Sequence, residues 1–217
     1  MHSADPSRIL VTAGATHEPL DSVRYLGNKS SGKLGILLSH FGTLLGHEVT
    51  LLHGTHCISP TKHPRLSTIP FTSTRDLSAK VHELWPSHSV LIMAAAVADF
   101  TPKGGQAAGK IRREKARTVS LIPTEDIIAG IAPTARNDQR SVAFCLEEPS
   151  HLATVAKEKL ARKEVDAIVA NPLETMESDF ITAIVYCKDG REFEPPANLS
   201  KAQFASWFIS HLNEILF

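Results

Sequence analysis

Residues 9–52 read ILVTAGATHEPLDSVRYLGNKSSGKLGILLSHFGTLLGHEVTLL, and this stretch decides the class of fold. Residues 9–12 form an apolar run, after which apolar side chains recur at helical spacing between Leu34 and Leu44. Gly46 ends that helical pattern, and the residues after it are again apolar and β-branched. The stretch therefore predicts a strand, a long loop, a helix and a second strand, the unit from which parallel sheets are built.

The alternation of strands and helices continues along the rest of the chain. Further strands are predicted at residues 90–94, 142–144 and 167–170, and further helices at residues 74–84, 150–163 and from residue 200 onward. Ser73, Ser150 and Ser200 are of the type that accepts hydrogen bonds from the free N–H groups of a helix start. The pattern predicts a doubly wound, mainly parallel α/β core in a single domain over residues 1–217.

Two segments break this rhythm, residues 110–122 and residues 183–193. The second has a turn sequence, Lys-Asp-Gly, at residues 188–190 between flanks that favour strands. Both segments are predicted to be hairpin or edge material. Pieces this short need a partner strand, so they are expected to form a small antiparallel sheet beside the main one.

The composition narrows the ligand class and the compartment. With 23 basic and 23 acidic residues the formal net charge is zero, so an anion must be attracted by a local cation cluster, and nucleic acid is not an expected partner. Cys57, Cys145 and Cys187 are far apart, which predicts reduced thiols. Residues 1–7 lack a secretion signal and no apolar stretch has bilayer length, so a cytoplasmic protein without membrane contact is expected.

The loop that follows the first strand holds the densest group of candidate ligand-binding residues. Ser30, Ser31 and Gly32 lie at a predicted helix start, where free N–H groups and the helix dipole favour a phosphate or a carboxylate. Arg24, Lys29 and Lys33 add positive charge nearby. A purely structural interpretation, in which the serines cap the helix and the glycines shape a turn, remains open.

Two familiar nucleotide-binding loops are not matched. Residues 27–33 have the spacing GxxxxGK of a P-loop, but Leu34 follows where a hydroxyl that binds Mg²⁺ is required. The dinucleotide fingerprint GxGxxG is absent as well. Histidines at zinc-ligand spacing and a GxSxG elbow are also missing, so zinc chemistry and Ser-His-Asp hydrolysis have no motif behind them.

Three further features point weakly toward a nucleotide. Small residues follow the strand at residues 90–94 and end at Asp99, whose carboxylate would hold Mg²⁺ or a ribose hydroxyl, or would cap a turn. A basic run follows at residues 110–113. Lys159 and Lys163 lie one turn apart on a predicted helix, a repulsive arrangement that a bound polyphosphate would relieve.

Taken in order, these motifs closely resemble phosphopantothenoylcysteine synthetase. The resemblance rests on residues 12–19 (TAGATHEP), 23–33 (VRYLGNKSSGK), 95–100 (AAVADF), 109–113 (GKIRR), 125–128 (EDII) and 159–163 (KLARK). It spans nearly the whole chain and is strongest to the bacterial, CTP-using form, here without the flavin-dependent decarboxylase half. It implies a Rossmann-like core, a small dimerisation sheet and a homodimer.

The resemblance also implies a reaction of coenzyme A biosynthesis. The carboxylate of 4'-phosphopantothenate attacks the α-phosphate of CTP to give an acyl-cytidylate and pyrophosphate, with Mg²⁺ assisting, and the cysteine amine then displaces CMP. ATP is a possible replacement for CTP.

Roles for individual residues follow from the same resemblance. Asn28 would handle the acyl-cytidylate, Arg24 and Asn28 would bind the substrate, Lys110 would bind the triphosphate and Asp99 would hold Mg²⁺. The residues implied around the nucleotide are Gly14, Ser31, Gly32, Met93, Ala94, Ala95, Asp99, Lys110, Glu125, Asp126, Ile127, Ile128, Phe144, Lys159 and Lys163.

Three departures from the family pattern bear on specificity. His17 stands where the family commonly has arginine. Residues 144–147 read Phe-Cys-Leu-Glu in place of Phe-Ala-Ala-Glu, and residues 124–126 lack the usual proline before the aspartate. Two other functions stay open at this point, namely a Rossmann-type oxidoreductase that binds NAD(P) or flavin, and a non-catalytic nucleotide-binding relative.

Overall fold

A computed structural model of the protein describes residues 7–113, 116–176 and 178–217. The prediction about a secretion signal concerns residues 1–7, of which only residue 7 is among those described. The described strands, in chain order, are β1 (Arg8–Ala13), β2 (His17–Pro19), β3 (Tyr25–Gly27), β4 (Glu48–Gly54), β5 (Leu66–Phe71), β6 (Val90–Met93), β7 (Phe100–Pro102), β8 (Leu121–Pro123), β9 (Arg140–Glu147), β10 (Ala167–Pro172), β11 (Phe180–Ile181), β12 (Ile184–Cys187), β13 (Glu192–Phe193) and β14 (Leu199–Ser200). The helices are α1 (Lys33–Leu44), α2 (Thr74–Leu84), α3 (Ile127–Ile131), α4 (Leu152–Lys163), α5 (Lys201–Ser210) and α6 (Leu212–Leu216).

The main sheet has eight of the described strands in the order β13-β12-β10-β9-β6-β1-β4-β5. Six of them, from β10 to β5 in that order, are parallel, whereas at one edge β12 pairs antiparallel with β10 and β13 pairs antiparallel with β12. Strand β1 lies in the middle, and the direction in which the chain adds strands reverses between β1 and β6. The predicted doubly wound, mainly parallel sheet is therefore confirmed.

The core has one layer of helices on each face of this sheet. Because side chains alternate along a strand, Ile9 of β1 faces α1, α5 and α6, where it belongs to one apolar cluster with Leu38 and Phe208. Leu10 faces the other way, into a second cluster with Leu77 of α2 and residues of α3 and α4. Both faces of β1 are thus buried, which explains why residues 9–12 read as a continuous apolar run.

Side-chain caps fix the starts of two helices at the predicted serines. The hydroxyl of Ser73 accepts a hydrogen bond from the Asp76 N–H at the start of α2, and Ser200 with Gln203 forms a complete capping box on α5. The cap predicted at Ser150 is wrong, because α4 begins at Leu152 and its N-cap, His151, makes no side-chain cap bond. Among the described helices none combines the length and the apolar composition needed to span a bilayer.

Strand β5, which lies at the edge of the sheet beside β4, was not predicted. Its sequence, LSTIPF, mixes exposed polar residues with Pro70, and only Phe71 is buried. Proline is tolerated in an edge strand because one side of such a strand needs no ladder hydrogen bonds. Pairing with β4 therefore decides this element, and its local sequence does not.

The two segments that interrupt the alternation of strands and helices, residues 110–122 and 183–193, form different structures. Residues 183–193 contain the hairpin β12–β13 with its turn at 188–190, and this hairpin extends the main sheet at its edge. In residues 110–122, of which 114 and 115 lie outside the described part, only the end is a strand, and β8 pairs with β7 in a separate antiparallel ribbon. Small antiparallel sheets are present as predicted, but these two segments do not pair with each other.

We expect the buried face of α1 to contribute much of the stability. Leu38 is fully buried against the sheet, whereas Leu44 on the same helix is 55% exposed. Leu38→Ala should lower the free energy of unfolding by about 2–5 kcal/mol, because it removes apolar contacts and leaves a cavity. Leu44→Ala, the matched control, should change it by only about 0.5 kcal/mol. Urea unfolding followed by circular dichroism measures both, and equal losses would contradict this description of the core.

Candidate functional site

A cleft of about 510 Å³ opens beyond the carboxyl ends of the parallel strands. It lies at the reversal of strand order next to β1 and β6, where open α/β sheets bind their ligands. The sequence-predicted residues that line it are Asn28, Ser31, Gly32, Met93, Ala94, Ala95, Asp99, Glu125, Asp126, Ile127, Ile128, Phe144, Lys159 and Lys163. Fourteen of the predicted site residues, which are scattered over the sequence, are thus brought to one place.

The floor of the cleft is the loop after β6, and two threonine hydroxyls of the β1 loop hold it. Thr12 Oγ1 accepts a hydrogen bond from the Ala95 N–H (3.1 Å), and Thr16 Oγ1 accepts one from the Ala98 N–H (2.8 Å). Both threonines are fully buried. Since buried N–H groups need partners, these hydroxyls fix a loop whose own side chains are too small to anchor it.

The start of α1 approaches the β1 loop very closely, and glycines make this possible. Gly14 and Gly32 both have positive φ, at 86° and 78°. A Cβ atom at Gly14 would lie 2.0 Å from the Cys57 sulfur, and one at Gly32 would lie 2.6 Å from it. Gly32, the N-cap of α1, has no side-chain cap, so the first N–H groups of this helix have no capping side chain at the edge of the cleft.

Ser30 and Ser31 make only long contacts at this helix start. The Gly32 N–H lies 3.4 Å from the Ser30 hydroxyl, and the Lys33 N–H lies 3.4 Å from that of Ser31. Such lengths exceed those of good N–H···O bonds. The purely structural interpretation, in which the serines cap the helix, therefore receives little support from this geometry.

Asn28 lies at the cleft with its amide fixed by the floor loop. Its Nδ2 donates a hydrogen bond to the Val97 carbonyl (3.1 Å). That bond uses one of the two amide hydrogens and leaves the other, and the carbonyl oxygen, for a ligand. Asn28 is thereby a neutral, oriented donor beside the uncapped start of α1.

The opposite side of the cleft has both acidic and basic side chains. Asp126 caps α3 by accepting from the Ala129 N–H, and both of its carboxylate oxygens contact Lys163 Nζ, at 2.7 and 2.6 Å. The charge of Lys163 is therefore already balanced in part. Lys159, one turn earlier on α4, lines the same wall and is half-buried.

The carboxylates do not form a dedicated metal cage. Asp99 is exposed, and its carbonyl is bonded by the Thr124 N–H at 2.9 Å. Among the described residues no three His, Cys, Asp or Glu side chains group together as metal ligands. Asp99 and Glu125 at one wall fit a cation such as Mg²⁺ that takes one or two carboxylates and receives its other ligands from phosphates and water.

Three predicted residues lie outside the cleft lining. Gly14 is behind the start of α1, where its carbonyl accepts from the Ala96 N–H (2.7 Å). Arg24 and Lys110 are exposed and lie on neighbouring segments, because Arg24 donates to the carbonyl of Ile111, next to Lys110. The structure therefore places Lys110 beside the predicted substrate residue Arg24 and outside the lining of the cleft.

Asp21 ties these two segments together. This buried carboxylate accepts hydrogen bonds from the N–H groups of Val23 and Arg24, at 2.8 Å each, and from that of Ile111 at 3.0 Å. Burial raises the pKa of Asp21, but these bonds and the Arg24 guanidinium lower it more, so the pKa lies below its usual range. A charged Asp21 thus anchors the segment that carries Lys110.

The structure shows the environment of two departures from the family pattern, His17 and the pair Cys145-Leu146. The ring of His17 stacks on Tyr25 with centroids 3.7 Å apart, and burial, followed by the nearby His56, lowers the pKa of His17. A neutral ring is therefore favoured where a cation was expected from the resemblance. Cys145 points into the core and is fully buried, so only Leu146 of that pair lines the cleft.

Four polar residues of the cleft were not predicted as site residues, namely Thr124, Asn171, Thr175 and Lys201. Asn171 lies at the end of β10 and donates to the Thr175 hydroxyl (2.6 Å). Its position directly after a buried strand was an available signal. Lys201 carried none, because a lysine at a helix start normally reads as a solvated residue.

The fold and the cleft define an α/β protein of Rossmann-like topology with a lysine-lined cleft at the ends of its parallel strands. The family model described as DNA/pantothenate metabolism flavoprotein, C-terminal domain, matches residues 5–216. The chain belongs to this family, and the resemblance to phosphopantothenoylcysteine synthetase is confirmed.

Curated relatives and solved structures agree with this assignment. The chain is 38% identical over 167 residues to a cysteine/cysteine sulfinic acid decarboxylase from an unknown prokaryote, and 36% identical over 167 residues to the coenzyme A biosynthesis bifunctional protein CoaBC of Vibrio cholerae. Each match covers 76% of this chain but only 46% and 41% of the relative. The chain therefore spans less than half the length of these relatives.

Two solved structures superpose over nearly the whole chain. The DNA/pantothenate metabolism flavoprotein of Streptococcus pneumoniae has a TM-score of 0.83 at 26% identity and covers 96% of this chain and 99% of its own. The C-terminal domain of a coenzyme A biosynthesis bifunctional protein CoaBC has a TM-score of 0.81 at 29% identity, with 100% and 98% covered.

We expect Asp21→Asn to release the segment that carries Lys110, because an amide cannot accept three N–H donors as a carboxylate does and places its own N–H against one of them. Trypsin cleaves after Lys110, Arg112 and Arg113, and native-state cleavage there should become several-fold faster. Asp138→Asn, which removes an exposed carboxylate paired with Arg136, is the control. Wild-type cleavage rates in Asp21→Asn would contradict the anchoring role.

Proposed function

We propose that the chain joins 4'-phosphopantothenate to L-cysteine through an acyl-nucleotidylate formed with a nucleoside triphosphate. The observation that carries this proposal is the cleft, where the oriented amide of Asn28 lies beside an uncapped helix start and several lysines. Membership of the family supports it, and so does the similarity to relatives named for coenzyme A biosynthesis. Those names describe longer proteins, so the activity is proposed for this chain from its own cleft.

The first step requires charge neutralisation. A carboxylate oxygen of phosphopantothenate forms a bond to the α-phosphorus, and the bond from this phosphorus to the bridging oxygen breaks, releasing pyrophosphate. Both reactants are anions, so their approach is unfavourable unless cations lie close by. Lys33, Lys159, Lys163 and Lys201 line the cleft and supply this charge, together with the dipole of α1.

The second step requires an oxyanion stabiliser. The cysteine nitrogen attacks the acyl carbon, negative charge develops on the carbonyl oxygen, and the bond to the nucleotide phosphate then breaks and releases the nucleoside monophosphate. The free amide hydrogen of Asn28 suits this oxygen. A neutral donor also avoids trapping the anionic substrate in its ground state.

Asp99, with Glu125 near it on the same wall, is proposed to hold Mg²⁺. When bound, the ion would neutralise phosphate charge during the first step. The nucleotide is proposed to be CTP, with ATP as the alternative, and the relevant assay measures pyrophosphate released with each nucleotide in the presence of phosphopantothenate, cysteine and Mg²⁺. Purified protein that carries a flavin or NAD(P) absorbance and releases no pyrophosphate would favour the oxidoreductase instead.

A homodimer is also proposed, with the β7–β8 ribbon at the contact. Phe100, Leu121 and Ile122 on this ribbon are 52%, 44% and 41% exposed, and Val119 just before it is 50% exposed. In the register of the ribbon, Phe100 and Leu121 lie on one face and Ile122 lies on the other. Exposed apolar side chains concentrated on so short a ribbon are typical of an interface. Light scattering should give twice the chain mass at micromolar concentration, and Ile122→Asp should shift this mass to that of a monomer. A monomer with full activity would contradict the proposal.

Substitutions at Asn28 and Lys110 should separate the two steps. Asn28→Ala should release pyrophosphate but convert the acyl-nucleotidylate about 10²–10³ times more slowly when cysteine is added. Asn28→Asp should be worse, because a carboxylate repels the developing oxyanion. Lys110→Ala should instead weaken the first step at subsaturating CTP, by about 1.5–3 kcal/mol for a charged phosphate contact.

Quenched-flow measurement of pyrophosphate, intermediate and product resolves these effects. Lys62→Ala, at an exposed lysine outside the cleft lining, is the control for loss of a charge. Wild-type conversion of the intermediate by the Asn28 variants would show that Asn28 only shapes the loop. A normal first step in Lys110→Ala would remove Lys110 from the triphosphate site.

A further inference from the structure

Lys201 is a buried cation that makes no salt bridge to any of the described residues. It is the first residue of α5, lines the cleft and is only 7% exposed. Its Nζ donates one hydrogen bond, to the Met176 carbonyl at 3.1 Å, and among the residues that the structure describes no carboxylate lies within salt-bridge distance of it. An ammonium group has three donors, and burial without an anion is unfavourable.

A second ammonium group lies near it. Lys33, the first residue of α1, contacts the exposed Asp179 carboxylate at 2.6 Å. Burial lowers the pKa of Lys201, the charge of Lys33 lowers it further, and Asp179 opposes both effects. Two cations thus share one carboxylate, and that carboxylate is 76% exposed to solvent, where its interactions are weak.

The backbone around Lys201 is firmly held. Its N–H donates to the Asp179 carbonyl at 2.9 Å, the preceding residue Ser200 pairs with Phe180 in the ribbon β11–β14, and the capping box closes the first turn of α5. The ammonium group is therefore positioned in advance of any ligand, which reduces the entropy lost on binding.

The lysines of the cleft form two groups on opposite faces of the sheet. Lys159 and Lys163 lie on α4, and Lys163 already contacts both oxygens of Asp126. Lys33 and Lys201 lie on α1 and α5, beside the uncapped start of α1. In each group one lysine is paired with a carboxylate, and the other makes no salt bridge to a described residue. Only the second group also lies beside the free N–H groups of a helix start, so the most highly charged ligand fits there.

We propose that Lys201, with Lys33 and the start of α1, binds the terminal phosphates of the nucleoside triphosphate. This inference rests on the proposed function, because it takes one of that reaction's substrates as the ligand. Among the three substrates the triphosphate has the highest density of negative charge. The pair on α4 then lies on the opposite side of the cleft, toward the nucleoside.

Calorimetric titration of Lys201→Met with CTP, CMP and inorganic tripolyphosphate tests this assignment. Affinity for CTP and tripolyphosphate should fall about 10- to 100-fold, the size of a lost charge-assisted phosphate contact, while affinity for CMP should fall less than about threefold. Lys201→Gln, which keeps a donor for the Met176 carbonyl, should behave in the same way. Lys157→Met removes a lysine paired with Glu192 outside the cleft lining and should change none of the three affinities.

Urea unfolding should show that neither Lys201 variant is less stable than the wild type, because a buried unpaired charge has been removed. Equal losses for CTP and CMP, or unchanged affinity for tripolyphosphate, would each overturn the assignment. These titrations need no catalysis. A wild-type protein that binds CTP with this dependence on Lys201 but makes no product would contradict the proposed function alone.

Discussion

The hydrogen bonds from the floor of the cleft to two threonine hydroxyls are the interaction on which the site depends. The loop after β6 consists of small residues, and its N–H groups at Ala95 and Ala98 are bonded by Thr12 and Thr16. Loss of these partners would leave backbone donors buried without acceptors. Asn28 takes its orientation from the same loop through the Val97 carbonyl, so the proposed acyl-transfer group inherits its position from β1.

Charge at this site is entirely local. The chain has no net charge, so the field of the whole protein does not attract anions. Instead the uncapped start of α1 and lysines from α1, α4 and α5 converge on one cleft. Part of this charge is balanced in advance, by Asp126 at Lys163 and by Asp179 at Lys33, which makes the repulsion between neighbouring cations tolerable in the absence of a ligand.

His17, which stands where the family commonly has arginine, lies to one side of this group of cations. Burial, followed by the nearby His56, lowers the pKa of His17 and favours its neutral form, whereas an arginine would be charged there at any physiological pH. The neighbouring Arg24 and the Lys110 segment, joined by Asp21, are the cationic groups on that side.

The sequence by itself determined the alternation of strands and helices in the core, and the family. The apolar run at residues 9–12 is a central parallel strand that is buried on both faces. A short continuous apolar run is the sequence pattern that such a strand requires. Of the site residues that the motifs predicted, 14 line the cleft. Tertiary structure alone decided β5, because its mixture of polar and apolar residues becomes a strand only by pairing with β4. Tertiary structure also decided the position of Lys110, because the carboxylate that holds its segment is that of Asp21, about 90 residues away in the chain. It also decided the burial of Lys201, because the environment of an ammonium group is set by packing among distant segments, and local sequence patterns do not encode such long-range contacts.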